Sequence, residues 1–290
     1  MPMGVVLVIL AAFLWGVSGG IAAMLIERGW DPLVVSFYRG AIGFACFAAW
    51  WLVRSGTLPL PDRKTLGWAA LAGVGVAGNF VFYFLSISHA NVAVAVTLMY
   101  MEPIYVYLVL LAIGAARLTP ALVFAIAAVV FGVALLTQLI GGSPIDELSL
   151  FGVVAGLLSG IAYALFLFGF QNATRHASPV VVLGVAFAVF LLILAPLVDH
   201  GQVVAAPLSD DVPLFLLLGL FGAGLSFFLY VLGLRTAPPV SVSLVAAVEP
   251  VTATLFALLV LGQGLALGQW LGMLLILGTV AALSIRQRPA

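Results

Sequence analysis

"LMYMEPIYVYLV" (residues 98–109) and "VAAVEPVTATLF" (residues 245–256) decide how this chain is read. Each sets a Glu-Pro pair in an uncharged apolar run, Glu102-Pro103 in the first and Glu249-Pro250 in the second. A carboxylate in hydrocarbon costs a few kcal/mol, so each glutamate is expected to be paired, hydrogen-bonded or protonated. Proline has no N–H, so Pro103 leaves the carbonyl of Met99 without its helical donor and Pro250 does the same to Ala246. Two kinked helices are therefore expected. The pairs are 147 residues apart, and that shift, with no gap, also lays Pro32 on Pro179, Gly75 on Gly222, Phe80 on Phe227, Tyr83 on Tyr230, Leu85 on Leu232 and Ala90 on Ala237. The chain reads as two related halves, 1–144 and 145–290.

Composition says what solvent those halves occupy. Of 290 residues 65% are hydrophobic and 7% charged, against about 25% charged in an ordinary soluble domain. The apolar runs are continuous rather than alternating, which points to membrane helices and not to a barrel. The lipid bilayer is thus the first partner. With zero net charge and no basic cluster the chain has nothing to offer a nucleic acid. The lone Cys46 lies inside an apolar run, so no disulfide can form within the chain. The first segment has no positive leader and runs apolar to Ile26, longer than a signal-peptide core, and is read as a retained span.

Cutting at charges, turn residues and helix-start prolines gives ten candidate spans: 4–26, 33–53, 67–87, 91–114, 120–140, 150–171, 179–198, 213–234, 239–261 and 268–285. Asp31-Pro32, Thr119-Pro120, Ser178-Pro179 and Pro238-Pro239 supply the starts, because proline fits a first turn whose N–H has no partner anyway. With the N-terminus inside, Arg54, Arg63, Lys64, Arg117, Arg175, Arg235, Arg286 and Arg288 fall on the cytoplasmic side and only Arg28 outside, so both termini are expected in the cytoplasm. Five spans per half is an odd number. The halves are therefore expected to sit inverted in the bilayer, an architecture of secondary transporters whose substrate sites lie at the midplane between the repeats.

The sequence resembles the drug/metabolite transporter superfamily in its EamA-type ten-helix branch. The resemblance rests on "FLWG" (Phe13 to Gly16), Arg39 in the second span, the paired Glu-Pro and the glycine-rich last span of each half, and it covers the whole chain. Within the branch it looks most like the bacterial exporters of aromatic and other amino acids, which also handle paraquat-like cations. The resemblance implies an all-α protein of two inverted five-helix repeats in a bacterial inner membrane. It also implies export of neutral and aromatic amino acids and related small metabolites by alternating access. A proton-coupled exporter of drugs and organic cations is the alternative.

Several spans set a small polar group beside a ring at the spacing of one helix face: Trp15 and Ser18, Asn79 and Tyr83, Thr97 and Tyr100, Ser159 and Tyr163, Ser226 and Tyr230. Deep tyrosines need hydroxyl partners, so these faces are expected to line a cavity for flat solutes or organic cations. Glu102, Pro103, Glu249 and Pro250 are expected to brace kinked helices as gate elements or to titrate during transport. Arg39 is expected either to form an ion pair or to meet a substrate carboxylate. Three histidines at span ends, and no metal-ligand, phosphate-loop or nucleophile–base pattern, argue against catalysis, metal and cofactor. A single membrane arginine and no membrane lysine disfavour phosphate-bearing substrates. The expected partner is a small molecule, and the expected oligomeric state a monomer.

Overall fold

The computed structural model describes residues 3–53, 61–112, 114, 117, 119–136, 150–234 and 248–286. The helix start at Pro238-Pro239 and the loop charges Arg54, Asp146, Glu147, Arg235 and Arg288 lie outside the described residues. The described chain is helical throughout and contains no strand. The helices are α1 (Met3–Glu27), α2 (Pro32–Val53), α3 (Arg63–His89), α4 (Val92–Met99), α5 (Glu102–Ala112), α6 (Pro120–Leu136), α7 (Leu150–Ala173), α8 (Pro179–Leu194), α9 (His200–Ala205), α10 (Val212–Gly219), α11 (Leu225–Leu234), α12 (Val248–Leu259) and α13 (Leu267–Arg286). Six stretches are long and apolar enough to cross a membrane: Met3–Glu27, Pro32–Val53, Arg63–His89, Val92–Ala112, Leu150–Ala173 and Val212–Gly233. Four shorter apolar helices, Leu122–Leu136, Pro179–Leu194, Val248–Leu259 and Leu267–Thr279, accompany them.

The fourth span breaks just ahead of its proline. α4 stops at Met99, Tyr100 and Met101 turn, and α5 restarts at Glu102. Ile104 N–H still finds the Met101 carbonyl at 3.0 Å, so the chain re-enters helix at once. Gly160 of α7 closes on the break, where a Cβ would lie 2.9 Å from the Met99 carbonyl oxygen.

Glycines make the longest seam. A Cβ on Gly75 would lie 2.6 Å from Phe166 Cα, one on Gly152 2.9 Å from His89 O, and one on Gly169 2.8 Å from Trp68 O. Those pairs run in reverse order, so α3 and α7 are antiparallel with backbones in contact, as small residues permit in lipid. Asn79 bolts the same seam: its Nδ2 donates to Ser159 O at 3.2 Å and Oγ at 3.1 Å, while Ser159 Oγ donates to the Asn79 carbonyl at 3.3 Å. In α2, Gly40 admits the Phe190 ring and Gly43 the Phe187 ring. Under the 147-residue shift these two contacts exchange places. Phe47, Phe80, Phe187, Phe190 and Phe227 then interlock α2, α3, α8 and α11 into one core. Outside, Phe124, Val130, Leu192 and Leu274 are each at least 60% exposed. Such an apolar exterior suits acyl chains and no other solvent.

Three features depart from the sequence reading. The seventh candidate span, helix α8, ends at Leu194 rather than 198, ahead of Pro196. The segment after it holds the short helix α9, whose Asp199 cap accepts from Gly201 and Gln202 N–H. The eighth span is not one regular helix. Between α10 and α11 the chain makes a wide turn over Leu220–Gly224, in which Leu225 N–H reaches the Leu220 carbonyl five residues back.

Candidate functional site

Helices from both halves enclose a cavity of ≈ 50 Å³, lined by Trp15 of α1, Arg39 of α2, Asn79, Phe80 and Tyr83 of α3, and Met99 of α4. The second half contributes Tyr163, Phe166, Leu167 and Phe170 of α7, Phe227 and Tyr230 of α11, and Glu249 of α12. Trp15 meets Phe227 edge-on at 5.1 Å and Tyr230 at 5.3 Å. Tyr163, Phe166 and Phe170 stack in a row along α7 at 6.1 and 5.5 Å. The wall is therefore largely aromatic, with one buried guanidinium and one buried carboxyl group.

Arg39 is 5% exposed and already engaged. Its Nε and Nη2 both donate to the Gly222 carbonyl, at 3.2 and 3.0 Å, and its guanidinium carbon lies 3.9 Å from the Phe80 ring centre. Glu249 is 7% exposed and accepts from the Tyr100 hydroxyl at 2.7 Å. No ion pair joins Arg39 to Glu249, although both line the cavity. Each charge instead keeps a neutral partner and a free approach to the same space. Gly16 brings α1 onto α12 beside this point, where a Cβ would sit 2.7 Å from the Glu249 carbonyl oxygen.

Of the residues singled out in the sequence, Trp15, Arg39, Asn79, Tyr83, Tyr163, Tyr230 and Glu249 lie together on the cavity wall. Ser18, Thr97, Tyr100, Ser159, Ser226, Glu102 and Pro250 do not line it, and the Pro103 side chain lies outside the described residues. Ser18 Oγ donates to Trp15 O at 2.7 Å, Thr97 Oγ1 to Ala93 O at 2.7 Å, and Ser159 is taken up by Asn79. Tyr100 reaches the site through Glu249. Glu102 is half-buried at the start of α5, and its Oε2 is buried without a hydrogen-bond partner. Ser226 Oγ and Trp15 Nε1 are likewise unpartnered, and Pro250 is buried in α12. Met99 and Leu167 were not foreseen; apolar residues on apolar helices give no signal of which side faces a cavity.

One face of the molecule is strapped shut. Gly29 adopts φ +94°, a left-handed turn that ends α1 and swings Trp30 across. Arg28 forms an ion pair with Asp211 at the start of α10, and Trp30 Nε1 donates to the other Asp211 oxygen at 2.7 Å. Asp31 N–H donates to Gln202 Oε1 at 2.8 Å, and Tyr38 hydroxyl to Val203 O at 2.6 Å. Phe215 packs between the Trp30 and Tyr38 rings, at 5.1 and 4.9 Å. The Trp30 hydrogen bond, with Arg28 beside it, holds the Asp211 carboxyl below the usual carboxylate range. Gly233 packs on Gly4 and Val8, so the end of α11 lies beside the start of α1. Tyr230 is within one turn of it, so the cavity leans toward the face opposite the strap.

Residues 2–138 and 150–285 each match the EamA-like transporter family. Over 97% of its length the chain is 27% identical to an uncharacterized transporter of Archaeoglobus fulgidus, covering 96% of that protein. It is 25% identical to the uncharacterized inner membrane transporter YicL of Salmonella typhimurium, covering 98% of this chain and 96% of that one. A solved crystal structure superposes with a TM-score of 0.59 at 21% identity, spanning 98% of this chain and 99% of the other, and bears on the fold alone.

Proposed function

The chain belongs to the EamA-like transporter family, and from that premise we propose that it exports neutral amino acids, aromatic ones above all, and related small metabolites. The observation that carries this reading is the pair of buried opposite charges, Arg39 and Glu249, lining one ring-walled cavity with no ion pair between them. Arg39 suits a carboxylate, Glu249 an ammonium, and the row Tyr163, Phe166 and Phe170 a flat side chain. Glu249 with the same rings also suits an organic cation, which is the second reading.

The proposed architecture is ten crossing helices in two inverted repeats. The six long and four shorter apolar helices, the antiparallel α3 and α7, and the exchanged contacts Gly40–Phe190 and Gly43–Phe187 support it. The loop cations support cytoplasmic termini in a bacterial inner membrane, with the strapped face outward. Glu102 and Glu249, each beside a proline, act as gate elements of their spans, and Glu102 is the candidate for proton exchange. The protein works as a monomer and catalyses no covalent chemistry.

The size of the cavity supports alternating access. About 50 Å³ of room holds a few waters and no amino acid, whereas small-molecule sites measure roughly 300–1,000 Å³. The site must widen to load. Uptake of radiolabelled phenylalanine, tryptophan and a lipophilic cation into proteoliposomes tests the reading. Saturable transport of the aromatic amino acids supports it, transport of the cation alone selects the second reading, and transport of neither removes both.

A further inference from the structure

We propose that the wide turn at Leu220–Gly224 is a register switch that rotates α10 to open the strapped face, and that Arg39 is its latch. The register switch stands on helix geometry, and its release by a loaded solute rests on the reading that the solute carries a carboxylate.

Within the turn and beyond it, the buried positions 222, 223, 224, 226, 227, 231 and 233 fall 147 residues from the buried positions 75, 76, 77, 79, 80, 84 and 86 of α3. Upstream, the buried positions are 215, 218 and 219, and they correspond to 69, 72 and 73 only at an offset of 146. The face of α10 is thus turned by one residue relative to its counterpart, about 100° at 3.6 residues per turn. The wide turn absorbs the slip. An inserted residue is the usual origin of such a turn, yet Pro32 and Pro179 ahead of it and Phe80 and Phe227 beyond it keep the same spacing of 147. A stretch of equal length is regular helix in α3 and wide turn here. The turn is therefore a conformational choice and not a product of extra sequence.

Two sets of contacts hold α10 in the slipped phase. At its start are the Asp211 bonds to Arg28 and Trp30 and the seat of Phe215 between Trp30 and Tyr38. At its end Arg39 donates twice to the Gly222 carbonyl, inside the wide turn. Regularising the turn would bring Leu216 and Leu220, now 49% and 41% exposed, to the inner face and carry Phe215 off Trp30 and Tyr38. The sequence "VPLFLLLG" of α10 is apolar all round, so neither phase buries a polar side chain. Because Arg39 also lines the cavity, an anion arriving there competes with the Gly222 carbonyl for the guanidinium. Loading on the open side would thereby release the latch on the closed one.

The test is labelling of a cysteine placed at Ala22, fully buried in α1, in the full chain carrying Cys46→Ser and held in lipid nanodiscs, with a membrane-impermeant maleimide. Deleting Phe221 lets a regular helix hold α10 in its strapped phase, so labelling should slow at least fivefold. Gly222→Ala places a Cβ 2.6 Å from Arg39 Nε and evicts the latch, so labelling should quicken at least threefold. Rates that move together, or a Gly222→Ala rate within twofold of the parent, overturn the proposal. Should the deletion not yield folded protein, the Gly222→Ala rate decides alone.

Discussion

Asn79→Ala and Ser226→Ala change one repeat position in its two settings, and the structure predicts opposite outcomes. Asn79 Nδ2 spans the α3–α7 seam to two Ser159 oxygens, at 3.2 and 3.1 Å. Truncation removes both bonds and leaves Ser159 Oγ only its bond to the Asn79 carbonyl at 3.3 Å. Interhelical hydrogen bonds within membranes average about 0.6 kcal/mol and reach about 1.7. A doubly used amide belongs in the upper part of that range. Because Asn79 lines the cavity, its removal enlarges an existing space rather than opening a sealed void, so no large cavity penalty is added. The expected loss is about 1–1.5 kcal/mol. Ser226 Oγ is buried with no partner, and removing an unsatisfied hydroxyl relieves a desolvation cost of about 1 kcal/mol or more. Ser226→Ala should be neutral or stabilising. Reversible unfolding in mixed micelles, followed by tryptophan fluorescence, measures both. The double mutant Asn79→Ala with Ser159→Ala should show a coupling of about 0.5 kcal/mol or more. Equal destabilisation by the two single variants, or a cycle with no coupling, refutes the assignment of the bolt to one repeat.

Gly75→Ala should lower the thermal midpoint by several degrees, because its Cβ would press on the Phe166 backbone at 2.6 Å and overpacking costs about 1–3 kcal/mol. Gly278→Ala, which meets nothing within 4 Å, should leave the midpoint level or raise it. The strap should weaken in acid: the folded Asp211 carboxyl titrates lower than a free one, so its contribution is complete above about pH 4 and is lost as pH falls through the folded value. The thermal midpoint should fall over that window, and Asp211→Asn should lower it at neutral pH and remove that part of its pH dependence. Tyr100→Phe removes the hydroxyl bonded to Glu249 at 2.7 Å and should change proteoliposome uptake of aromatic amino acids more than Thr97→Val, whose hydroxyl donates within its own helix.

Much of this layout is written locally in the chain. The Glu-Pro pair told of a break, and α4 does end at Met99, where the missing proline N–H withdraws a donor. Gly156 and Gly160 stand four apart, a spacing that lets helices approach closely, and both lie against α4. Such features need only one or two turns of sequence to declare themselves. The sites of Asn79 and Ser159 are different, because a polar residue on an apolar helix announces that it needs a partner without saying which. That partner is 80 residues away. The wide turn at Leu220–Gly224 left no trace at all: the repeat spacing is unbroken across it, and its residues suit an ordinary helix equally well. α9 was missed for a plainer reason, since six residues are too few to show a period.

The narrowness of the cavity also concerns everything the protein must keep out. A carrier that returns empty transfers whatever its closed chamber contains, and ≈ 50 Å³ between aromatic walls contains at most a few waters. An ion shedding its hydration to enter would find a guanidinium and a carboxylate that already have partners, and rings elsewhere. On the proposed cycle an empty return would therefore carry little charge. A substitution that held this space open is expected to show first as ion leakage through proteoliposomes.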